Sequence, residues 1–398
     1  MPKPKLKKEE DREILLYDYV VVLRAQSAAI FRPTFPFRLL EHPTAFGTAD
    51  IIFYTHYEDL GLGIPVPRYL LVDVKGKAPS INDAMNSFKE LATNLIPSVA
   101  FSVNAYIETP NIYLAFDITP NKEKRDYFQT QFLDHHDKLE RSRYANSEAT
   151  AKFHSVLFKT KDTERLRRAV GLYHQALDNW EFGKEILAIE YIFIAAETIT
   201  PILRNRLFDE HGTDADGLTK LLKIEKKELD SEIRKKYIFQ EDTACYKKAR
   251  LASDSFEHGY KHFDIIRGLA RDACDSAARY VRASIIDLVT EEQEVKGLLN
   301  ENDFIKPFMK GKVRKELRGF LIGSGEKLAR EGDKYPYMAW KSKITSAKVD
   351  DSGVFTFSHD ETFTACLGDG IKFKGKSMQM WGSPTEYKKK SIENGDED

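Results

Sequence analysis

The sequence predicts a multidomain α+β protein in which a central antiparallel helical bundle lies between an N-terminal α+β region and a small C-terminal β-rich region. Three observations favour this class. Residues 16–120 contain short β-rich runs separated by turns, residues 162–292 carry apolar side chains at helical spacing, and residues 301–385 return to short strands. A length of 398 residues fits two or three domains.

The N-terminal region is predicted to combine strands with a helix. Four short segments are rich in β-branched and aromatic residues and are therefore expected to be strands. They are 17–23, 50–54, 69–74 and 111–116. Ser80 can cap a helix whose apolar residues recur at helical spacing through Leu95. Residues 1–15 are expected to form a mobile charged arm before this domain, and the polar residues 121–161 are expected to be a helical connector.

The central region is predicted to hold four or more helices joined by short loops. The first two are expected on either side of Gly183, because apolar stripes at helical spacing precede and follow it. The second is expected to end at Pro201 or shortly after. Asp214 or Asp216 can cap a third helix, and a long last helix is expected at about 263–288.

The C-terminal region begins with a basic stretch and continues with strands. We expect the stretch, residues 306–327, to form a solvated amphipathic helix and turn. Three short segments that follow have strand character and are separated by turn residues. They are 341–345, 353–357 and 370–373. The acidic tail, residues 386–398, is expected to be disordered.

Composition narrows the class of protein. The formal net charge of −1 excludes a global basic field, so any nucleic-acid site must be a local patch. The three cysteines, Cys245, Cys274 and Cys366, are too sparse for a disulfide framework and fit a reducing compartment. The charged N-terminus lacks the apolar segment of a signal peptide, and no apolar run is long enough to span a membrane. We therefore expect a cytoplasmic protein that does not engage a membrane.

One motif precedes the last predicted helix. It reads Arg250-Leu-Ala-Ser-Asp-Ser-Phe-Glu-His-Gly259 and follows a helix that contains Ile192-Phe-Ile-Ala-Ala-Glu-Thr-Ile199. A helix pair, a loop with this motif and a closing helix together resemble HEPN domains, most closely the ApeA-like branch found in bacterial proteins. The resemblance covers about residues 163–290.

The resemblance implies a helical bundle that is often dimeric and, in many members, acts in RNA cleavage or prokaryotic defence. In active members an arginine and a histidine, with four to six residues between them, meet across the dimer interface and cut RNA without a metal. His258 matches the family histidine in position. Arg250 lies further away, with seven residues between it and His258, and the usual arginine position falls at Ser253 or a neighbour.

Two functions follow from this resemblance. In the first, Arg250 and His258 are the catalytic residues of a homodimeric, metal-independent ribonuclease that needs no cofactor. Histidine can transfer protons near pH 7, and arginine can stabilise charge on a phosphate. In the second, the bundle is a non-catalytic scaffold, and the flanking β-regions dock a protein partner.

The N-terminal region offers an alternative of another kind. Asp50 and the run Asp73-Val-Lys75 resemble the core of a PD-(D/E)xK nuclease, in which carboxylates on adjacent strands hold Mg²⁺ and a lysine steadies the attacking water. An acid and a lysine one residue apart at the end of an apolar strand are also ordinary edge residues. Mg²⁺ is expected as a cofactor only under this alternative.

The basic stretch supplies the candidate nucleic-acid contacts. Basic residues with interleaved aromatics such as Phe320 can contact phosphates and stack on bases. The candidate phosphate contacts are Lys306, Lys310, Lys312, Arg314, Lys315 and Arg318.

Overall fold

The computed structural model describes residues 15–32, 34–59, 65–133, 143–180, 184–300, 313–323, 336–349, 355–367 and 370–381. The strands in these ranges are β1 (Tyr17–Ala25), β2 (Ala29–Ile30), β3 (Phe37–Thr44), β4 (Gly47–Asp59), β5 (Pro65–Ala78), β6 (Asn111–Asp117), β7 (Lys124–Leu133), β8 (Arg143–Tyr144), β9 (Val313–Ile322), β10 (Tyr337–Val349), β11 (Phe355–Cys366) and β12 (Lys372–Trp381). The helices are α1 (Ile81–Val103), α2 (Ser147–Lys159), α3 (Thr163–Asp178), α4 (Glu185–His211), α5 (Ala215–Leu222), α6 (Leu229–Ile233), α7 (Thr243–His258), α8 (Phe263–Val289) and α9 (Gln293–Asn300).

Eight strands form one antiparallel sheet in the order β12-β9-β7-β6-β1-β5-β4-β3. The central strand β1 is buried on both sides because its residues alternate between two apolar clusters. Val21 and Leu23 face the cluster that includes the helices, which we call the helix side of the sheet. Val20 and Val22 face the opposite cluster, which we call the far side.

The two sides are covered by different elements. On the helix side, α1 crosses β1, β5 and β6, and its first turn is capped by Ser80, whose hydroxyl accepts from the Asp83 amide. On the far side, the β10–β11 hairpin packs against β7. The buried Gln129 amide exchanges two 2.8 Å hydrogen bonds with the backbone of Met338, which fixes the position of β10.

The helix-side core is continuous from the sheet into the later helices. Phe101 on α1 stacks on Phe153 of α2 with 5.1 Å between ring centroids. Arg282 of α8 is buried and donates to the carbonyls of Phe101 and Ser102 at the end of α1. Apolar residues of α3, α4, α7 and α8 belong to the same cluster as those of the sheet.

The predicted fold class is wrong. We expected a central helical bundle between two strand-rich regions, but the structure is an α+β fold built on the large sheet, with helices sharing its core. The C-terminal strands extend the N-terminal sheet, because β9 pairs with β7 and β12 pairs with β9. Long-range strand pairing, which local patterns do not encode, is the physical reason.

Several elements also differ from expectation. The basic stretch, predicted to be helical, contributes strand β9, and the expected helical connector contains β7 before α2. In contrast, the four predicted N-terminal strands fall within β1, β4, β5 and β6. Helix α4 continues through Pro201 to His211, where Gly212 ends it in a left-handed conformation.

Helix α4 is the one helix in the described ranges that is long and apolar enough to cross a membrane. In this fold, 61% of its most apolar window is buried inside the protein. That burial is typical of a core helix in a globular protein.

Candidate functional site

The structure brings Asp50, Asp73 and Lys75 together. Asp50 on β4 lies directly opposite Lys75 on β5, and Asp73 is on the same side of the sheet because it is two residues from Lys75. This is the far side, to which Leu71 also points. Asp73 is buried and accepts a 3.1 Å hydrogen bond from the Tyr54 hydroxyl, while Asp50 accepts a 3.0 Å bond from the Glu41 amide.

Protein sites often hold a magnesium ion with one or two carboxylates plus water and phosphate, and Asp50 and Asp73 offer two carboxylates on neighbouring strands. A site with three or more protein ligands is not found among the described residues. In the part of the chain that the structure describes, no group of three or more His, Cys, Asp and Glu side chains is placed to hold a metal.

Arg250 and His258 are not brought together within one chain. Both lie on α7, and His258 follows Arg250 by eight positions, which is about 12 Å along the helix axis. Two hydrogen bonds fix the Arg250 side chain away from His258. Its Nε donates to the Asp254 carboxylate at 3.3 Å, and its Nη1 donates to the Ser231 hydroxyl at 3.3 Å. His258 is the last residue of α7, before Gly259 turns the chain with a φ of +68°. A catalytic pair would therefore need side chains from two chains.

Ser253, where the resemblance is expected to place the usual arginine, lies beside a cluster of carboxylates that we call the acidic seam. The seam consists of Glu190 and Glu197 on α4 and Asp254 and Glu257 on α7. Ser253 is buried and its hydroxyl hydrogen-bonds to Glu190. Ser253 thus lies among carboxylates.

Glu190 is the most perturbed group in the seam. It is 7% exposed, and its Oε2 is buried without a hydrogen-bond partner. Burial raises the pKa of Glu190 from 4.5 to about 7; the hydrogen bond from Ser253 opposes this shift, and Glu257 adds to it. Its neighbour Glu257 lies 3.8 Å from Nε2 of His258. Glu190 therefore takes up a proton as the pH falls through about 7. A glutamate inside the most apolar helix of the sequence was the signal that could have revealed it.

The turn between α7 and α8, which we call the corner, is surrounded by exposed apolar side chains. His258 lies beside it, with 5.3 Å between its ring centroid and that of Tyr260. The exposed large apolar residues at the corner are Phe256, Tyr260, Phe263 and Ile265.

The predicted basic stretch is placed only in part. Lys306, Lys310 and Lys312 lie outside the described residues, and Arg314 and Lys315 are in strand β9. The side chain of Arg318 is half-buried on the helix side. It donates to the Asn82 side chain at 3.1 Å, and its guanidinium lies 5.0 Å from the centroid of the Phe128 ring.

Arg318 belongs to a larger surface on the helix side of β7, β9 and β12, which we call the basic platform. Strand register defines it, because directly paired residues share a side of the sheet. In one row Ile322 lies between Lys372 and Lys124, and in the next row Phe320 lies between Lys374 and Asp126. The platform consists of Lys124, Arg318, Phe320, Lys372 and Lys374.

The platform is open to solvent. Lys124, Lys372 and Lys374 are exposed, and Phe320 is half-exposed. The Lys124 ammonium lies 4.0 Å above the centroid of the Phe320 ring. One carboxylate, Asp126, shares these rows and is half-buried. Four cations around an aromatic ring can neutralise phosphates and contact a base.

Sequence reasoning found Arg318 and Phe320 but missed Lys124, Lys372 and Lys374. These three lysines come from segments far from the basic stretch and join it only through the pairing of β7 and β12 with β9. The short run Lys372-Phe-Lys374 was a weak signal of alternating cations on one side of a strand.

Comparisons of the chain with models of known families, with curated proteins and with solved structures find no match.

Proposed function

We propose that this protein binds RNA through the basic platform. The observation that carries the proposal is the convergence of four cations around Phe320 on three adjacent strands, on a surface that is open to solvent. The resemblance of residues 163–290 to HEPN domains, many of which act on RNA, favours RNA over DNA as the polyanion.

The charge of the platform predicts how RNA affinity depends on salt concentration. The chain as a whole has a net charge of −1, so its attraction for RNA must come from the local patch. Each phosphate that a cation neutralises on a single strand contributes about −0.7 to the slope of log K against log salt. If all four platform cations take part, the expected slope is roughly −3.

The test is a salt titration of RNA affinity by fluorescence anisotropy. The double variant Lys372→Glu/Lys374→Glu should weaken binding at least about tenfold at low salt and reduce the slope by about 1 to 2. The control Lys220→Glu/Lys247→Glu changes the net charge equally at exposed positions of α5 and α7. Equal losses in the two variants would show that binding is a global charge effect and would remove the platform from the account.

A second function, magnesium-dependent nucleic-acid cleavage, is favoured by a separate observation. Asp50, Asp73 and Lys75 share one side of two paired strands. Here Asp50 and Asp73 would hold the ion, which lowers the pKa of bound water, and Lys75 would stabilise negative charge beside them.

End-labelled RNA and DNA separate the catalytic alternatives. Cleavage that requires Mg²⁺ and disappears in Asp73→Asn, but persists in His258→Ala, would assign the reaction to the β4–β5 pair. Cleavage that survives EDTA and disappears in His258→Ala would assign it to α7 in an assembly of two chains. Binding without cleavage in any of these assays is the result that the platform alone predicts.

A further inference from the structure

We propose that the basic platform takes a single strand of RNA, one of whose bases stacks on the ring of Phe320. This inference rests on the proposed function, since it names the form of RNA that the platform recognises. The alternative is a duplex whose two backbones contact the same cations. Its bases would not stack on the Phe320 ring.

The position of Phe320 carries the inference. The residue lies on β9, the middle strand of the three, with Lys374 directly across on β12 and Lys124 one row away on β7. Neighbouring strands are about 5 Å apart, so Lys374 lies directly beside the ring on β12. On β7 the directly paired residue is Asp126, and Lys124 lies diagonal to the ring. Both lysines are within reach of the sugar–phosphate backbone of a base on the ring. Ile322, 39% exposed in the next row, extends the apolar surface.

The Lys124 ammonium shows that the ring face is accessible. It lies over Phe320 at 4.0 Å, although Lys124 is an exposed residue with a long, flexible side chain. A base can replace the ammonium on the ring, and the freed ammonium can then pair with a phosphate. The exchange keeps the ring covered and gains an ion pair.

Duplex RNA fits this surface poorly. Its bases are already stacked inside the helix, and proteins recognise it mainly by its shape and by contacts to the backbone and 2′-hydroxyls. Single strands expose base faces, and each base stacked on an aromatic side chain adds sequence-tolerant affinity. An aromatic ring among cations on an open sheet therefore favours a single strand.

The experiment compares a fluorescein-labelled 12-nucleotide RNA of mixed sequence with the same strand annealed to its complement. Wild type should bind the single strand at least about fivefold more tightly than the duplex. Phe320→Leu keeps an apolar side chain but removes the stacking surface, so it should lose at least about fivefold in single-strand affinity and little for the duplex. Phe320→Tyr should retain binding.

Tyr260→Leu removes an aromatic ring that is 73% exposed at the corner, and it should leave both affinities unchanged. The thermal midpoint of each variant verifies that it is folded. If both RNAs bind equally and Phe320→Leu has no effect, the inference is overturned while RNA binding by the platform stands. If neither RNA binds at low salt, the proposed function fails and the inference fails with it.

Discussion

The basic platform and the acidic seam are both clusters of charged side chains, yet they are built in opposite ways. The platform places exposed cations on the open end of a sheet, where water screens their mutual repulsion. The seam buries the carboxyl of Glu190 between two helices, where the exclusion of water raises its pKa to about 7 and favours the neutral form. The first arrangement leaves the cations accessible from solvent, whereas the second couples the stability of the fold to pH.

This comparison predicts a double dissociation between stability and RNA affinity. Substitutions in the seam should change the pH dependence of unfolding and leave RNA binding alone. Substitutions on the platform should do the reverse, since exposed side chains away from caps and packed contacts have small effects on stability.

The largest expected effect is on the stability of Glu190→Gln at alkaline pH. The pKa of Glu190 is raised by burial from 4.5 to about 7, so the fold favours the protonated acid. The stabilisation from this proton is full below about pH 4.5 and is lost as pH rises through about 7. Glutamine is neutral at every pH. Glu190→Gln should therefore gain on the order of 2 kcal/mol over wild type between pH 4 and pH 8.5.

Urea unfolding at the two pH values measures this difference. Glu210→Gln, an exposed glutamate on the same helix α4, is the matched control and should show no such gain. A gain for Glu210→Gln that equals the gain for Glu190→Gln would contradict a special role for the buried acid.

The smallest expected effect is on the stability of the platform variant. Lys372→Glu/Lys374→Glu should change the free energy of unfolding by less than about 0.5 kcal/mol, because both side chains are exposed. Urea unfolding at neutral pH checks this value. A loss of several kcal/mol would mean that the lysines support the sheet, and the RNA titration of this variant would then report unfolding.

Sequence patterns predicted local elements better than their arrangement. Strands β1, β5 and β6 followed from their β-branched runs, and Ser80 followed from its capping position, because the causes of these features are local. The single large sheet did not follow, since the pairing of β7 with β9 joins segments far apart in the chain.

The candidate site shows the same limit. Arg318 was visible in a basic stretch, but Lys124 and Lys372 gained meaning only through the register that places both beside Ile322. The two residues of the α7 motif illustrate the converse. Arg250 and His258 are close in sequence, yet the helix holds them about 12 Å apart along its axis.

Photo-cross-linking of a single-stranded RNA that contains 4-thiouridine, followed by mass spectrometry, tests the central claim most directly. The account predicts cross-links to β9 (Val313–Ile322) and β12 (Lys372–Trp381), and their loss in Lys372→Glu/Lys374→Glu. Cross-links confined to the corner around Tyr260, or to the β4–β5 pair around Asp73, would contradict RNA binding at the platform.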